Sequence, residues 1–209
     1  MVDTLLDIAM MHSDTLVTRA KEGDQNAQGK LVQLWYKRIY NFGYKFFMDH
    51  DMAMEVSQKT FISMCKNLPG LQDNARFKSW LYKIAVNYCR EEVRKKKGDR
   101  SLSFDVVWNR DAEESPKWES AGQRYDNPES QLHRSELADI LQQALGELNV
   151  EQREVVIMKE YEGLKFREIA EVLNISENTV KSRMYYGLEG LRKILDRKNI
   201  NKDTIGYEL

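Results

Sequence analysis

Proline is scarce in this chain: Pro69, Pro116 and Pro128 are the only three in 209 residues. A proline inside a helix removes a backbone hydrogen bond and clashes with the preceding turn, so no helix after residue 128 is interrupted. Cysteine is scarcer. Cys65 and Cys89 read as two buried thiols in a reducing compartment, which excludes a disulfide framework. The three histidines, His12, His50 and His133, are scattered, with no metal-ligand spacing to one another or to the cysteines. No glycine-rich loop of the phosphate-cradling kind is present. The expectation is a protein that is not an enzyme and holds neither metal nor cofactor. Long hydrophobic runs are also missing. The longest are four residues, as in Val155 to Met158, against the ~18 that a membrane span needs. Asp3 and Asp7 precede the first basic residue, Arg19, so a secretory leader is not expected. These absences together point to a soluble, cytoplasmic chain.

Neither sign of charge prevails: 32 Lys and Arg stand against 33 Asp and Glu, a net charge of −1. The average conceals a pattern. Asn87 to Lys97 carries five basic and two acidic residues, and Gly163 to Lys198 carries eight and five. The sequence between them is acidic, with a deficit of three over Gly98 to Arg134 and of five over Ser135 to Glu162. Two basic islands kept apart by acidic sequence suit two separate contacts with a polyanion better than one continuous surface.

At 42% hydrophobic the chain can fill a core, and its length allows one or two domains. The periodicity is helical on both sides of a central stretch and no sustained alternation marks a strand. Leu31, Leu34, Trp35, Arg38, Ile39 and Phe42 recur at helical spacing. So do Met54, Ser57, Phe61, Met64 and Leu68, before Pro69-Gly70 ends that helix. Gly98 to Ser130 is rich in Ser, Asp, Glu, Gly and Asn and reads as a linker. Its apolar residues Leu102, Phe104, Val106, Val107 and Trp108 are candidates to dock on a neighbour. The expected fold is all-α: two small helical domains, 1–97 and 131–198, joined by an acidic linker over 98–130, with a tail over 199–209.

Placed on a helix at about 100° per residue, Arg76 to Lys97 shows three stripes. Phe77, Leu81, Ile84 and Tyr88 form one apolar side, and Tyr82, Val86, Cys89 and Val93 a second. Between them run Lys83, Asn87, Arg90, Arg94 and Lys97. A helix held from two sides that still presents a basic ridge can meet phosphates in fixed register. The plainer reading, a charged face that keeps a helix solvated, competes with it. Asn87 favours the first, because an amide within a basic ridge can both donate and accept at a base edge. Trp80 borders the ridge and suits the core and base stacking equally.

The second island has the pattern of a helix-turn-helix. Phe166, Ile169, Ala170 and Leu173 mark the buried face of a short helix, and Asn174 tolerates the left-handed conformation at its end. Ser176 is a suitable N-cap for the next helix, with Glu177 near the positive end of its dipole. Val180, Met184, Leu188, Leu191 and Leu195 form the expected buried stripe. Ala170 is the small residue expected where the two helices cross. The start of the second helix then exposes Glu177, Asn178, Lys181, Ser182 and Arg183, with Tyr185 and Tyr186 further along. Those are the positions from which a recognition helix enters a major groove.

Three stretches together resemble a known family. Phe77-Lys-Ser-Trp-Leu-Tyr-Lys-Ile-Ala-Val-Asn87 is similar to the F-x-x-W-L-x-x-I-A-x-N run of the sigma-70 family, in its extracytoplasmic-function (ECF) class. Leu148 to Leu191, with Glu154-Val-Val-Ile, Tyr161-Glu-Gly, Ile169-Ala-Glu-Val-Leu and Thr179-Val-Lys-Ser-Arg183, resembles that family's C-terminal helix-turn-helix domain. Ala53-Met-Glu-Val-Ser-Gln-Lys-Thr-Phe61 is similar to its polymerase-clamp contact, with Met54 and Lys59 in place of acids. The resemblance implies a dissociable specificity subunit of bacterial RNA polymerase. Its partners would be core RNA polymerase, through clamp and flap, promoter DNA and, in the manner of many members, an anti-sigma factor. Glu55, Gln58 and Phe61 would touch the clamp. Lys83, Asn87, Arg90, Arg94 and Lys95, with Trp80, would read the −10 element, and the loop Gln72 to Ala75 would help to form a pocket for an unstacked base. Ser176, Glu177, Asn178, Lys181, Ser182, Arg183 and Tyr186 would read the −35 element. A free-standing helix-turn-helix regulator is the alternative; it explains the second island and leaves the first without a role.

Overall fold

The structure, a computed structural model, describes residues 14–98, 128–198 and 200. The apolar residues Leu102 to Trp108 and most of the tail lie outside the described residues. Among the described residues every regular element is a helix. No helix there is long and apolar enough to cross a membrane.

The first domain is built from α1 (14–21), α2 (Gln25–Phe47), α3 (His50–Asn67) and α4 (Phe77–Gly98). Asp24 starts α2 by accepting hydrogen bonds from the Asn26 and Ala27 amides at 2.9 and 3.1 Å, and Arg19 pairs with the same carboxylate. Met48 ends α2 in the left-handed region, φ 54°, and Asp49 immediately caps α3 by accepting from the Met52 amide at 3.0 Å. The tight corner lets α2 and α3 pack closely. A Cβ on Gly43 would stand 3.1 Å from the Ala53 Cα, so glycine is the residue that permits this approach. Leu31, Trp35, Ile39, Phe42 and Phe46 of α2 meet Val56 and Met64 of α3 and Phe77, Leu81, Tyr82, Ala85 and Val86 of α4 in one core. Leu34 and Met54, placed on buried stripes from spacing, are exposed. On α2 Leu31 and Trp35 are buried beside Leu34, and on α3 Ala53 and Val56 are buried beside Met54.

The second domain contains α5 (Pro128–Glu147), α6 (Val150–Val156), a π turn over Ile157–Tyr161, α7 (Phe166–Leu173) and α8 (Glu177–Arg197). Helix α5 begins inside the expected linker, with a proline where the missing amide costs nothing. Asn149 caps α6. The helix-turn-helix forms as the spacing predicts. Asn174 closes α7 in the left-handed region, φ 54°, and Ser176 Oγ accepts the Thr179 amide at 3.0 Å. The buried stripe of α8 differs: Val180, Met184, Gly187 and Ile194 are inside, while Leu188 is 47% exposed. Glycine causes the difference, because Gly187 and Gly190 admit Val156 of α6 and Leu148 of the turn before it against the α8 backbone.

Candidate nucleic-acid interface

On α4 the ridge stands clear of the core. Lys83, Asn87, Arg94 and Lys95 are exposed, and Tyr82, Ala85, Val86 and Cys89 behind them are buried. Burial first, and then the nearby Glu154 and Glu92 carboxylates, push the Cys89 thiol well above its usual range, which keeps it inert. The side chain of Lys97 lies outside the described residues. Lys95 is tied to Glu91 at 2.8 Å and to Glu92 at 2.9 Å. Glu92 is nearly buried and also accepts from Lys59 of α3 at 2.8 Å. These two hydrogen bonds, Lys59 first, hold the Glu92 carboxyl below the usual carboxylate range and lock α4 to α3. Lys95 thus helps to fix the helix and is less available than Lys83 or Arg94.

Trp80 has two surroundings. One side packs on the core beside Phe77, ring centroids 6.0 Å apart. The other lines a cavity of about 620 Å³ with Gln72, Asp73, Arg76, Ser79 and Lys83. Of the expected loop Gln72 to Ala75, the first two residues reach this cavity. Asn74 is turned to the other side, where Lys21 donates to it at 3.1 Å and it donates to Thr18 at 2.8 Å.

Helix α8 exposes Asn178, Lys181, Ser182, Tyr185 and Tyr186, with Glu177 half-buried at its start. Ser176 is occupied as the cap, and Lys181 pairs with Glu177 at 2.8 Å. Arg183 departs from the expectation of a fully exposed contact. Its side chain is 25% exposed and lies 3.5 Å from Glu154. Arg90, expected on the open ridge, is bound to the same carboxylate by Nε at 2.9 Å and Nη2 at 2.5 Å.

On α3, Glu55 and Gln58 are exposed, but Phe61 is 6% exposed and stacks on Tyr36. Phe61 therefore supports the helix from within, and of the three residues expected at the clamp Glu55 and Gln58 are the exposed ones. The exposed apolar residues beside Gln58 are Ile62, 62% exposed, and Met54. Lys59 is drawn between Glu55 and Glu92, at 2.5 and 2.8 Å.

Sequence reasoning overlooked three charged residues of the second domain. Glu154 is wholly buried; burial pushes its carboxyl up, and Arg90 and Arg183 only partly counter this. Glu162 follows the π turn and accepts a hydrogen bond from the Tyr82 hydroxyl; burial likewise raises it. Arg153 donates to the Phe46 and Leu148 carbonyls at 2.8 Å and to that of Gly146, and burial lowers it to about 10. One signal was available: Glu154 abuts the apolar run Val155 to Met158, and an acid there needs a partner.

Among the described residues no cluster of His, Cys, Asp and Glu is placed to hold a metal ion. The chain matches the family models of Sigma-70 region 2 over residues 31–98 and Sigma-70, region 4 over residues 138–189. It is 32% identical over 179 residues to the ECF RNA polymerase sigma factor SigW of Bacillus subtilis, covering 86% of this chain and 94% of that one. It is 30% identical over 178 residues to the ECF RNA polymerase sigma-E factor of Escherichia coli K12, covering 84% and 90%. Two solved structures share the fold. One is CnrH in complex with the cytosolic domain of CnrY, with a TM-score of 0.62, 23% identity, and coverage of 88% of this chain and 97% of that one. The other is the sigma factor RpoE with the anti-sigma factor NepR from Bartonella quintana, with a TM-score of 0.64, 20% identity, and coverage of 80% and 96%. A free-standing helix-turn-helix regulator would leave the region 2 match unexplained. The chain belongs to the sigma-70 family of RNA polymerase sigma factors, in its ECF class.

Proposed function

We propose that this sigma factor reads a promoter through two faces carried on separate domains, 1–97 and 131–198. Its function is to direct promoter-specific initiation by core RNA polymerase, and its partners are that enzyme and promoter DNA. On the first domain, Lys83, Asn87 and Arg94 are the −10 contacts. Trp80 and Gln72 line the cavity that takes an unstacked base, and capture there offsets the few kcal/mol that unstacking costs. Arg90 joins them once released from Glu154, and Lys95 acts chiefly by bracing α4. On the second domain, Asn178, Lys181, Ser182 and Tyr186 enter the major groove at the −35 element, with Ser176 and Glu177 fixing the helix start. Arg183 joins them when free of Glu154. Glu55 and Gln58, flanked by Met54 and Ile62, meet the polymerase clamp, and the second domain meets the flap.

The observation that carries this reading is the α4 ridge, an exposed amide among cations on a helix immobilised from both sides. The work is done in the cytoplasm, beside the polymerase, and the chain itself catalyses nothing. The Bartonella neighbour was solved with an anti-sigma factor, and a partner of that kind covering the same faces is part of the proposal. The test is run-off transcription by core polymerase with and without the chain, on promoters selected from a genomic fragment library. Initiation that needs the chain, and that falls when either element is scrambled, is expected. Initiation indifferent to both elements would overturn the reading.

A further inference from the structure

Helix α3 carries an apolar line that is open to solvent. Met54 and Ile62 are 52% and 62% exposed. With Gln58 between them they stand at i, i+4 and i+8, within an arc of about 80° on the helix. Tyr36 of α2, 41% exposed, stacks on Phe61 in the same turn as Ile62.

The charges beside this line are spent inside the molecule. Glu55 and Lys59 pair at 2.5 Å, and Lys59 reaches on to Glu92 of α4 at 2.8 Å. Glu92 is met in turn by Lys95 at 2.9 Å. Two acids and two bases thus cancel. Asp51, a turn before Met54, lies at the start of α3 and complements the helix dipole there. The family stretch that α3 resembles has acids where this chain has Met54 and Lys59. Here one position is a thioether and the other a lysine neutralised from both sides. A paired surface charge gains little from a further partner, whereas exposed apolar groups gain by leaving water.

We propose that α3 grips the polymerase clamp through Met54 and Ile62, with Tyr36 beside them, and that the clamp surface opposite is apolar. The proposal rests on the assignment of α3 to the clamp above and names the chemistry of the partner there. A second copy of this chain is the poorer occupant. Three side chains fall well short of the ~800 Å² per partner that a stable complex buries. The polymerase also holds the second domain, so its contact with α3 does not have to stand alone.

The test titrates core polymerase into the full chain, labelled at its amino terminus, and into Met54→Glu, Met54→Lys, Met54→Leu and Ile62→Ala. Met54 and Ile62 are more than half exposed, so folding is not at stake. Either charge at position 54 is expected to weaken core binding about tenfold or more, because it would be buried unpaired against apolar groups. Met54→Leu should recover most of that loss, and Ile62→Ala should weaken binding about tenfold. A tighter complex with Met54→Glu would show a cationic clamp surface, and one with Met54→Lys an acidic surface. Either result overturns the apolar contact and leaves the clamp assignment standing. Gln58→Trp adds bulk at the centre of the line. If it and the other four variants all bind as wild type does, the clamp assignment itself fails and the proposal falls with it. A dimer of the free chain in sedimentation that Ile62→Ala disperses would give the line to a second copy and overturn the proposal.

Discussion

Replacing Gly187 by alanine tests the packing that aims the recognition helix. A Cβ at Gly187 would stand 2.8 Å from Val156 Cγ2, with Gln152 Cβ at 3.5 Å and its carbonyl at 3.7 Å. Carbon atoms pack at about 3.5–4.0 Å, so the valine methyl would have to withdraw by several tenths of an ångström. Val156 is 2% exposed and, being β-branched on a helix, has one strongly preferred χ1. The strain falls on the backbone, and α8 is pushed off α6. Overpacking of this kind costs about 1–3 kcal/mol, while alanine gains about 1 kcal/mol over glycine inside a helix. The expected net is a loss of about 1 kcal/mol in urea unfolding of the full chain. Transcription should become less dependent on the −35 sequence and keep its −10 dependence, because only α8 is displaced. Val156→Ala removes the obstructing methyl. The double variant should be more stable than the sum of the single changes by about 1 kcal/mol, the coupling expected of touching residues. Gly187→Ala stabilised by the full helix-propensity gain, with additive double-variant energies, would refute this packing.

Asn87→Ala removes an exposed amide and no charge or core volume. Stability should stay within ~0.5 kcal/mol and core-polymerase binding should persist. Open-complex formation should drop in a manner set by the −10 sequence, as footprinting of promoters varied at one element at a time will show. Ser176→Ala deletes the N-cap of α8 and should cost about 1 kcal/mol in thermal unfolding, with a loss of −35-dependent transcription beyond what stability explains. Glu92→Gln breaks the tie between Lys59 and Lys95 and should cost about 1–3 kcal/mol near neutral pH. The Glu92 carboxyl is held below its ordinary 4.5, so its contribution is complete above that value and is lost as pH falls through the lowered one. The stability difference between wild type and variant should therefore shrink in unfolding curves taken from pH 6 down to pH 3.

Most of the helical skeleton was legible because its signals are local. Ser176 and Asn174 act within one or two turns and are realised in the structure, and on the α4 ridge Lys83, Asn87 and Arg94 stand exposed while Arg90 does not. Burial at stripe edges was not legible in the same way. Leu188 was placed inside because counting apolar residues ignores glycine, yet Gly187 admits the neighbouring helix and turns Leu188 outward. Phe61 carries a family motif, but its ring is spent on Tyr36, a contact between helices that spacing within one helix does not reveal. The pairing of Arg90 with Glu154 spans 64 positions. Periodicity marked Arg90 as a ridge residue and had no means of naming an acid so distant.

The measurement that bears most directly on two faces reading two elements is position-resolved photocross-linking within the initiation complex. A photoreactive phenylalanine placed at Asn87 or at Asn178 would be activated in the complex of core polymerase, this chain and promoter DNA. The modified bases would then be mapped. Cross-links from position 87 confined to the −10 element and from position 178 confined to the −35 element are the expected result. Both positions marking one element, or neither marking DNA while transcription proceeds, would contradict the account.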